Sequence, residues 1–360
     1  MTGQPLEDDG EDMHFGEPAS PEASTPPGAG PPEPSSGVLG PVWRWLGEQD
    51  WPDDKPPPRR WLLKRPSGPQ DSSGLEYGFL PAGKLGMLAA AGGQGKTMAL
   101  AQLAVSVITG RPWLGHYDVP AEARGPVLLA LGEEDADEVQ RRLYEIRRGL
   151  ELSAEELAEV RRHLLVLPLA GTDVQLVATK DRNGRPEETR FYRELRQRLG
   201  DAAVDWRLLV LDPLSRWAGP ETETDNFAAT RFVSAIEALT KVRGNPTVLL
   251  SHHTTKAART GNSPSDATAA RGASALTDGV RWVANLVAQD GGLCLSLVKT
   301  NYTAPAEPCP LKREEGGVLR VLTRAEIDAQ GKQSKANGKT KKSAAKEPEE
   351  SEDDPNQAAF

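Results

Sequence analysis

The chain has 360 residues, enough for one large domain or two ordinary ones, with a formal net charge of −9 and a pI near 5.3. That balance does not advertise nucleic-acid binding, although a ring or groove can still gather basic residues on one inner face. Two cysteines, Cys294 and Cys309, build neither a disulfide framework nor a four-ligand structural zinc site. Residues 1 to about 40 are acidic, rich in Pro, Gly and Ser, and too poor in apolar groups to offset the entropy of ordering, so an unfolded segment is expected through residue 58. Val42-Trp-Arg-Trp-Leu46 interrupts it as a helical turn, a docking peptide or an edge-packing run, and Pro56-Pro-Pro-Arg-Arg-Trp61 forms an extended lead-in. The folded domain is expected over residues 59–327.

The stretch that organises this domain runs from Gly86 to Val105. Apolar Met87–Ala91 breaks on a Gly-rich turn, Ala90-Ala91-Gly92-Gly93-Gln94-Gly95-Lys96-Thr97, and restarts as an Ala/Leu-rich helix from Lys96 to about Thr109. Strand, glycines and helix N-terminus in that order make a phosphate-binding loop. Glycines let backbone N–H groups curl around an anion where a Cβ would obstruct. Lys96 supplies a point charge to the β- and γ-phosphates of ATP, and the Thr97 hydroxyl is placed for Mg²⁺. Ala90 stands where the strictest form of the motif has Gly, and a residue this small is compatible with the loop.

Pro126–Leu131 is a uniformly apolar strand ending in Gly132-Glu133-Glu134-Asp135. A helix follows from Ala136 to about Arg148, with the pair Glu138 and Arg142 at i,i+4. A second helix, Ser153–Arg162, opens on a capping box formed by Ser153 and Glu156. His163–Leu167 is a short strand and Thr189–Leu199 an amphipathic helix. Trp206–Asp212 is a buried strand terminating on an acid, Phe227–Val242 is helical by period, and Thr247–His253 is a further strand. Residues 254–270, small and polar, are expected to form a mobile loop. Val280–Val287 and Leu293–Val298 are late strands, and Gly317–Leu322 adds an edge. Short apolar strands alternating with helices predict an α/β domain whose mostly parallel sheet is covered by helices on both faces. From residue 328 a basic and then acidic tail is expected to be unfolded.

Open parallel sheets bind ligands beyond the carboxyl ends of their strands, where this sequence concentrates its chemistry. Asp212 is placed to hold Mg²⁺ and its waters. Glu133 or Glu134 can act as general base toward the water attacking the γ-phosphate, and capping the next helix is the other role open to either. His253, in the pair His252-His253, can sense the γ-phosphate through a ring nitrogen. Arg271 and Arg281 lie beyond the polar loop, and either can stabilise charge on a neighbouring subunit's nucleotide. Lys256 and Arg259 give the loop a basic element suited to single-stranded DNA.

Taken together, Ala90–Thr97, Leu131-Gly-Glu-Glu-Asp135, Leu209-Val-Leu-Asp-Pro-Leu-Ser-Arg216, Leu250-Ser-His-His-Thr-Thr-Lys256 and Ala270-Arg-Gly-Ala-Ser…Arg-Trp282 resemble the RepA-like hexameric replicative helicases of plasmids and phages. These are a branch of the RecA-like, AAA-type P-loop ATPases. The resemblance covers residues 60–325, and Lys299-Thr-Asn-Tyr302 with Gly316-Gly-Val-Leu319 looks like that family's closing strands. It implies a RecA-like fold, with Lys96 and Thr97 on phosphate and magnesium. It further implies Glu133 as the glutamate that activates water, Asp212 as the second metal-site acid and His253 as the γ-phosphate reader. Arg281 would be an arginine finger given in trans, and Arg271 an interface or DNA-loop residue. The family encircles single-stranded DNA as a hexamer, which implies ATP and Mg²⁺ as cofactors, DNA replication as the process, and primase, initiator or loader proteins as partners. The absence of a basic-then-apolar leader and of a long apolar run adds the expectation of a cytoplasmic protein with no membrane contact, and the resemblance implies a bacterial cell and a gene carried by a plasmid or phage. Two alternatives stand beside this one: a RecA-like ATPase for repair, recombination or helicase loading without unwinding, and a nucleotide-gated regulatory or partition scaffold.

Overall fold

The computed structural model describes residues 57–66, 78–180, 186–219, 221–253, 274–289, 292–303 and 306–329. The expected unfolded N-terminal segment (apart from residues 57–58), the polar loop 254–270 and the C-terminal tail beyond residue 329 lie outside the described residues. In chain order the elements begin with β1 (Trp61–Lys64), β2 (Gly78–Pro81), β3 (Leu85–Ala90), α1 (Lys96–Thr109) and β4 (Val127–Leu131). Next come α2 (Ala136–Gly149), α3 (Ala154–His163), β5 (Leu164–Pro168), β6 (Val177–Lys180), β7 (Pro186–Glu188) and α4 (Arg190–Asp201). The middle of the domain adds β8 (Leu208–Asp212), α5 (Leu214–Trp217), α6 (Asn226–Leu239) and β9 (Thr247–His253). It closes with α7 (Ser274–Gly279), β10 (Trp282–Gln289), β11 (Gly292–Thr300), β12 (Cys309–Arg313) and β13 (Leu319–Val321).

A 9-stranded sheet runs β13-β12-β11-β10-β3-β9-β8-β4-β5. The strands from β10 through β5 are mutually parallel, and β11, β12 and β13 extend the sheet as an antiparallel meander. The parallel strands are mostly apolar because helices cover both faces, and polar residues gather toward the carboxyl ends of β8 and β9 at Asp212, Ser251, His252 and His253. Along β4, Val127, Leu129 and Leu131 pack on the side of α1, α2 and α3, while Leu128 and Ala130 pack on the side of α4 and α6. Tyr192, Leu195, Phe232 and Ile236 supply the apolar stripes of the second layer. This is the α/β architecture of a RecA-like domain. Among the described residues no helix is long and apolar enough to cross a membrane.

Local signals set most boundaries. Ser153 caps α3, and its Oγ and the Glu156 carboxylate exchange the two bonds of a capping box. Glu156 also receives the Arg111 guanidinium at 2.8 Å, which ties the start of α3 to the turn after α1. Helix α1 ends at Gly110, whose left-handed φ of 81° allows its N–H to reach Ser106 O at 2.7 Å. The expected helix Phe227–Val242 stops at Leu239, with Thr240 as its cap. Five strands lie outside the sequence expectations: β1 and β2, held to Asp118 through Lys64 at 2.9 Å, the short pair β6–β7, and β12 between β11 and β13.

Candidate active site

The site lies where β3, β4, β8 and β9 end. Register places their last residues side by side, since Ala90 pairs with His253 and Leu131 with Asp212. A cleft of about 280 Å³ opens there, lined by Gly92–Gly93, Gly95–Thr97, Glu133, Asp212 and His253, and closed on the far side by Arg142, Arg313 and Gly316–Gly317.

The P-loop is built from its glycines. Gly93 and Gly95 hold φ values of 76° and 96°, which a Cβ would strain, and space in front of Gly92 and Gly93 is open to at least 4 Å. Ala90 is fully buried as the last residue of β3, so a methyl group is accommodated within the strand and takes nothing from the cradle. Gly95 caps α1 without a side-chain bond, and no acidic residue occupies the first turn. The positive end of the helix dipole is therefore left to whatever anion occupies the cleft.

Lys96 is 7% exposed and folds back on the loop, donating to Ala90 O at 3.0 Å and Ala91 O at 3.3 Å, with His253 Nδ1 at 3.4 Å. Burial pulls its pKa below the usual lysine value, while Asp212 and Glu133 pull it back up. Asp212 is 4% exposed at the end of β8 and accepts a hydrogen bond from Ser251 Oγ of the neighbouring strand. Because strand side chains alternate, His252 is buried on the opposite face, and only His253 of the pair reaches the cleft.

The two glutamates separate. Glu133 lines the cleft with its side chain about half exposed, and Arg216 Nε lies 3.3 Å away. Glu134 turns aside to Arg142 at 2.7 Å, and burial raises its pKa against the pull of that arginine. Neither caps α2. That role belongs to Asp135, which accepts from Glu138 N at 2.8 Å. The expected pair Glu138–Arg142 is present at 3.2 Å.

Arg281 is not brought to this cleft. It precedes β10, which runs parallel to β3 with Trp282 opposite Gly86 and Leu286 opposite Ala90. Its exposed side chain therefore sits at the amino end of the sheet, about 16 Å from the P-loop end at ~3.3 Å per residue. Lys256, Arg259 and Arg271 lie outside the described residues. Sequence reasoning missed Arg142 and Arg313. Arg142 carries only the signal of a helix-surface charge, and Arg313 reaches the loop from the end of a late strand 220 residues away.

The donor set suits a magnesium–nucleoside triphosphate. Among the described residues no three His, Cys, Asp or Glu side chains form a metal cluster by themselves. One hydroxyl and one buried carboxylate beside an anion cradle is the arrangement by which Mg²⁺ is held largely by phosphate and water. A family model described as an AAA domain matches residues 48–259 of the 360, from ahead of the lead-in through β9 and into the polar loop.

Proposed function

The chain belongs to the AAA-domain family and is a P-loop ATPase, and we propose that it is a DNA-dependent helicase or translocase that works on single-stranded DNA as a hexameric ring in DNA replication. The observation that carries the reading is a split. Lys96, Thr97, Glu133, Asp212 and His253 share one cleft, while Arg281 stands exposed at the other end of the sheet, away from its own chain's cleft, which supports giving it to a nucleotide held by another copy.

In this reading Lys96 leaves the Ala90 and Ala91 carbonyls to hold the phosphate tail, with the N–H groups opening α1. Thr97 Oγ1 and the Asp212 carboxylate would hold Mg²⁺, which would supply charge neutralisation to the phosphates. Glu133 accepts a proton from water as that water's oxygen bonds to the γ-phosphorus and the bond to the ADP oxygen breaks. His253 follows the γ-phosphate position and passes the change into the segment after β9, which carries Lys256 and Arg259. Arg271 would line the interface or the DNA loop, and primase, initiator or loader proteins would act as partners.

The test measures ATP hydrolysis with and without single-stranded DNA, and displacement of a strand from a forked duplex. Stimulation and displacement are expected from the wild type, and Lys96→Ala should lose hydrolysis. Hydrolysis and DNA binding without displacement selects a repair, recombination or loading ATPase. The net charge of −9 favours a nucleotide-gated scaffold as the second reading, and hydrolysis indifferent to DNA selects it.

A further inference from the structure

We propose that Arg313 is a second phosphate ligand supplied by the same chain, so that the β12–β13 hairpin and the P-loop close together on a bound nucleotide; this rests on the ATPase reading. Arg313 ends β12, and its Nη2 donates to Gly93 O at 2.9 Å. The same nitrogen lies 3.4 Å from the point a Cβ on Gly95 would occupy, so it sits over both turning glycines of the loop. A guanidinium has five N–H donors in a planar fork, and the carbonyl uses one direction of that fork.

The charges around it are spent elsewhere. Glu314 takes Lys312 at 3.2 Å and Arg320 at 2.7 Å, and Glu315 takes Arg148 at 3.2 Å. Among the described residues Arg313 forms no ion pair. It is therefore a solvent-exposed cation at the rim of the cleft beside the N-terminus of α1, with donors left over for an anion. Phosphate oxygens in the cleft are that anion, and arginine is the side chain that bonds them with directed pairs of hydrogen bonds.

The hairpin is built to hold this position. Gln102 of α1 donates to Leu319 O at 2.8 Å and accepts from Leu319 N at 2.8 Å, as a neighbouring strand would. At the turn, Gly316 and Gly317 take φ values of 72° and 84°, and a Cβ on Gly316 would fall 2.2 Å from Glu145 Oε2. The turn thus seats against α2 as closely as glycine permits, while Arg313 faces the loop.

The test titrates the full chain with a fluorescent ATP analogue at low and high salt, for wild type, Arg313→Gln, Arg313→Lys and Lys96→Ala. Hydrogen exchange over residues 309–321 is followed with and without ATP. Arg313→Gln should bind about tenfold more weakly at low salt. The gap should narrow at high salt, because the lost contact is between charges. Arg313→Lys should recover part of the loss, and nucleotide should protect the hairpin in the wild type but not in Arg313→Gln. Wild-type affinity and protection in Arg313→Gln, with Lys96→Ala defective, overturn the inference and leave the ATPase reading standing. A loss that is equal at all salt concentrations marks loop support alone and overturns it too. A wild type that binds no nucleotide removes the ATPase reading and this inference with it.

Discussion

At the scale of single residues, two adjacent glutamates show how neighbours decide chemistry. Glu133 and Glu134 are indistinguishable by type, yet one borders the cleft and the other is drawn off by Arg142 at 2.7 Å. A base must reach the water it deprotonates, and Glu134 is occupied by Arg142 and does not line the cleft. Glu133→Gln is therefore expected to lower kcat for ATP about a hundredfold with nucleotide affinity retained. Glu134→Gln should instead act mainly on stability, because it weakens the ion pair that anchors the start of α2. Steady-state hydrolysis together with nucleotide titration separates the two, and comparable losses of kcat would remove the assignment. Lys96 makes a related point. Its ammonium is satisfied by two loop carbonyls and approached by His253 at 3.4 Å, so substrate must compete with contacts already formed.

At the scale of elements, the closing hairpin depends on a side chain that imitates backbone. Gln102 supplies a carbonyl and an amide to Leu319, and all the groups involved are buried. Truncation strands both a buried N–H and a buried C=O, and each unsatisfied group costs far more than an average hydrogen bond contributes. Gln102→Ala is expected to destabilise the domain by about 2–3 kcal/mol in urea unfolding. It should also raise hydrogen exchange over β13 more than over β4. A change under about 0.5 kcal/mol would place the hairpin's stability in its apolar contacts alone. The sequence announces β13 as an edge strand, but it carries no mark of this attachment, because a buried glutamine in a helix has the same pattern as an exposed one.

At the scale of the whole molecule, the position of Arg281 ties function to assembly. Its own chain's P-loop is at the far end of the sheet, so in the ring reading each complete site draws on two copies. Mixing two inactive variants tests this directly. Where an Arg281→Ala subunit offers its P-loop to a Lys96→Ala subunit's arginine, the shared site is wild type. The mixture should recover a measurable fraction of ATP turnover while each variant alone stays about a thousandfold down. Failure to recover, with both variants folded and still mixing, would return Arg281 to a role within its own subunit.

The sequence by itself determined the P-loop, the layered α/β fold and the acids and histidine at the strand ends. Each is written locally, as glycines before Lys96-Thr97 or as apolar runs stopping at Asp212 and His253. Even the limits of α1 could be read from Gly95 and Gly110, since positive φ is a glycine property. What only the tertiary structure decided was which of several equivalent groups face the cleft. Register turns His253 inward to it and His252 away, one ion pair removes Glu134, and Asp135 takes the cap that either glutamate had been open to fill. Arg313 belongs to the same class. It arrives at Gly93 because an antiparallel meander carries the chain's late strands back over α1. Such contacts depend on how distant elements pack, and no local pattern of residues encodes a meeting between positions 220 apart.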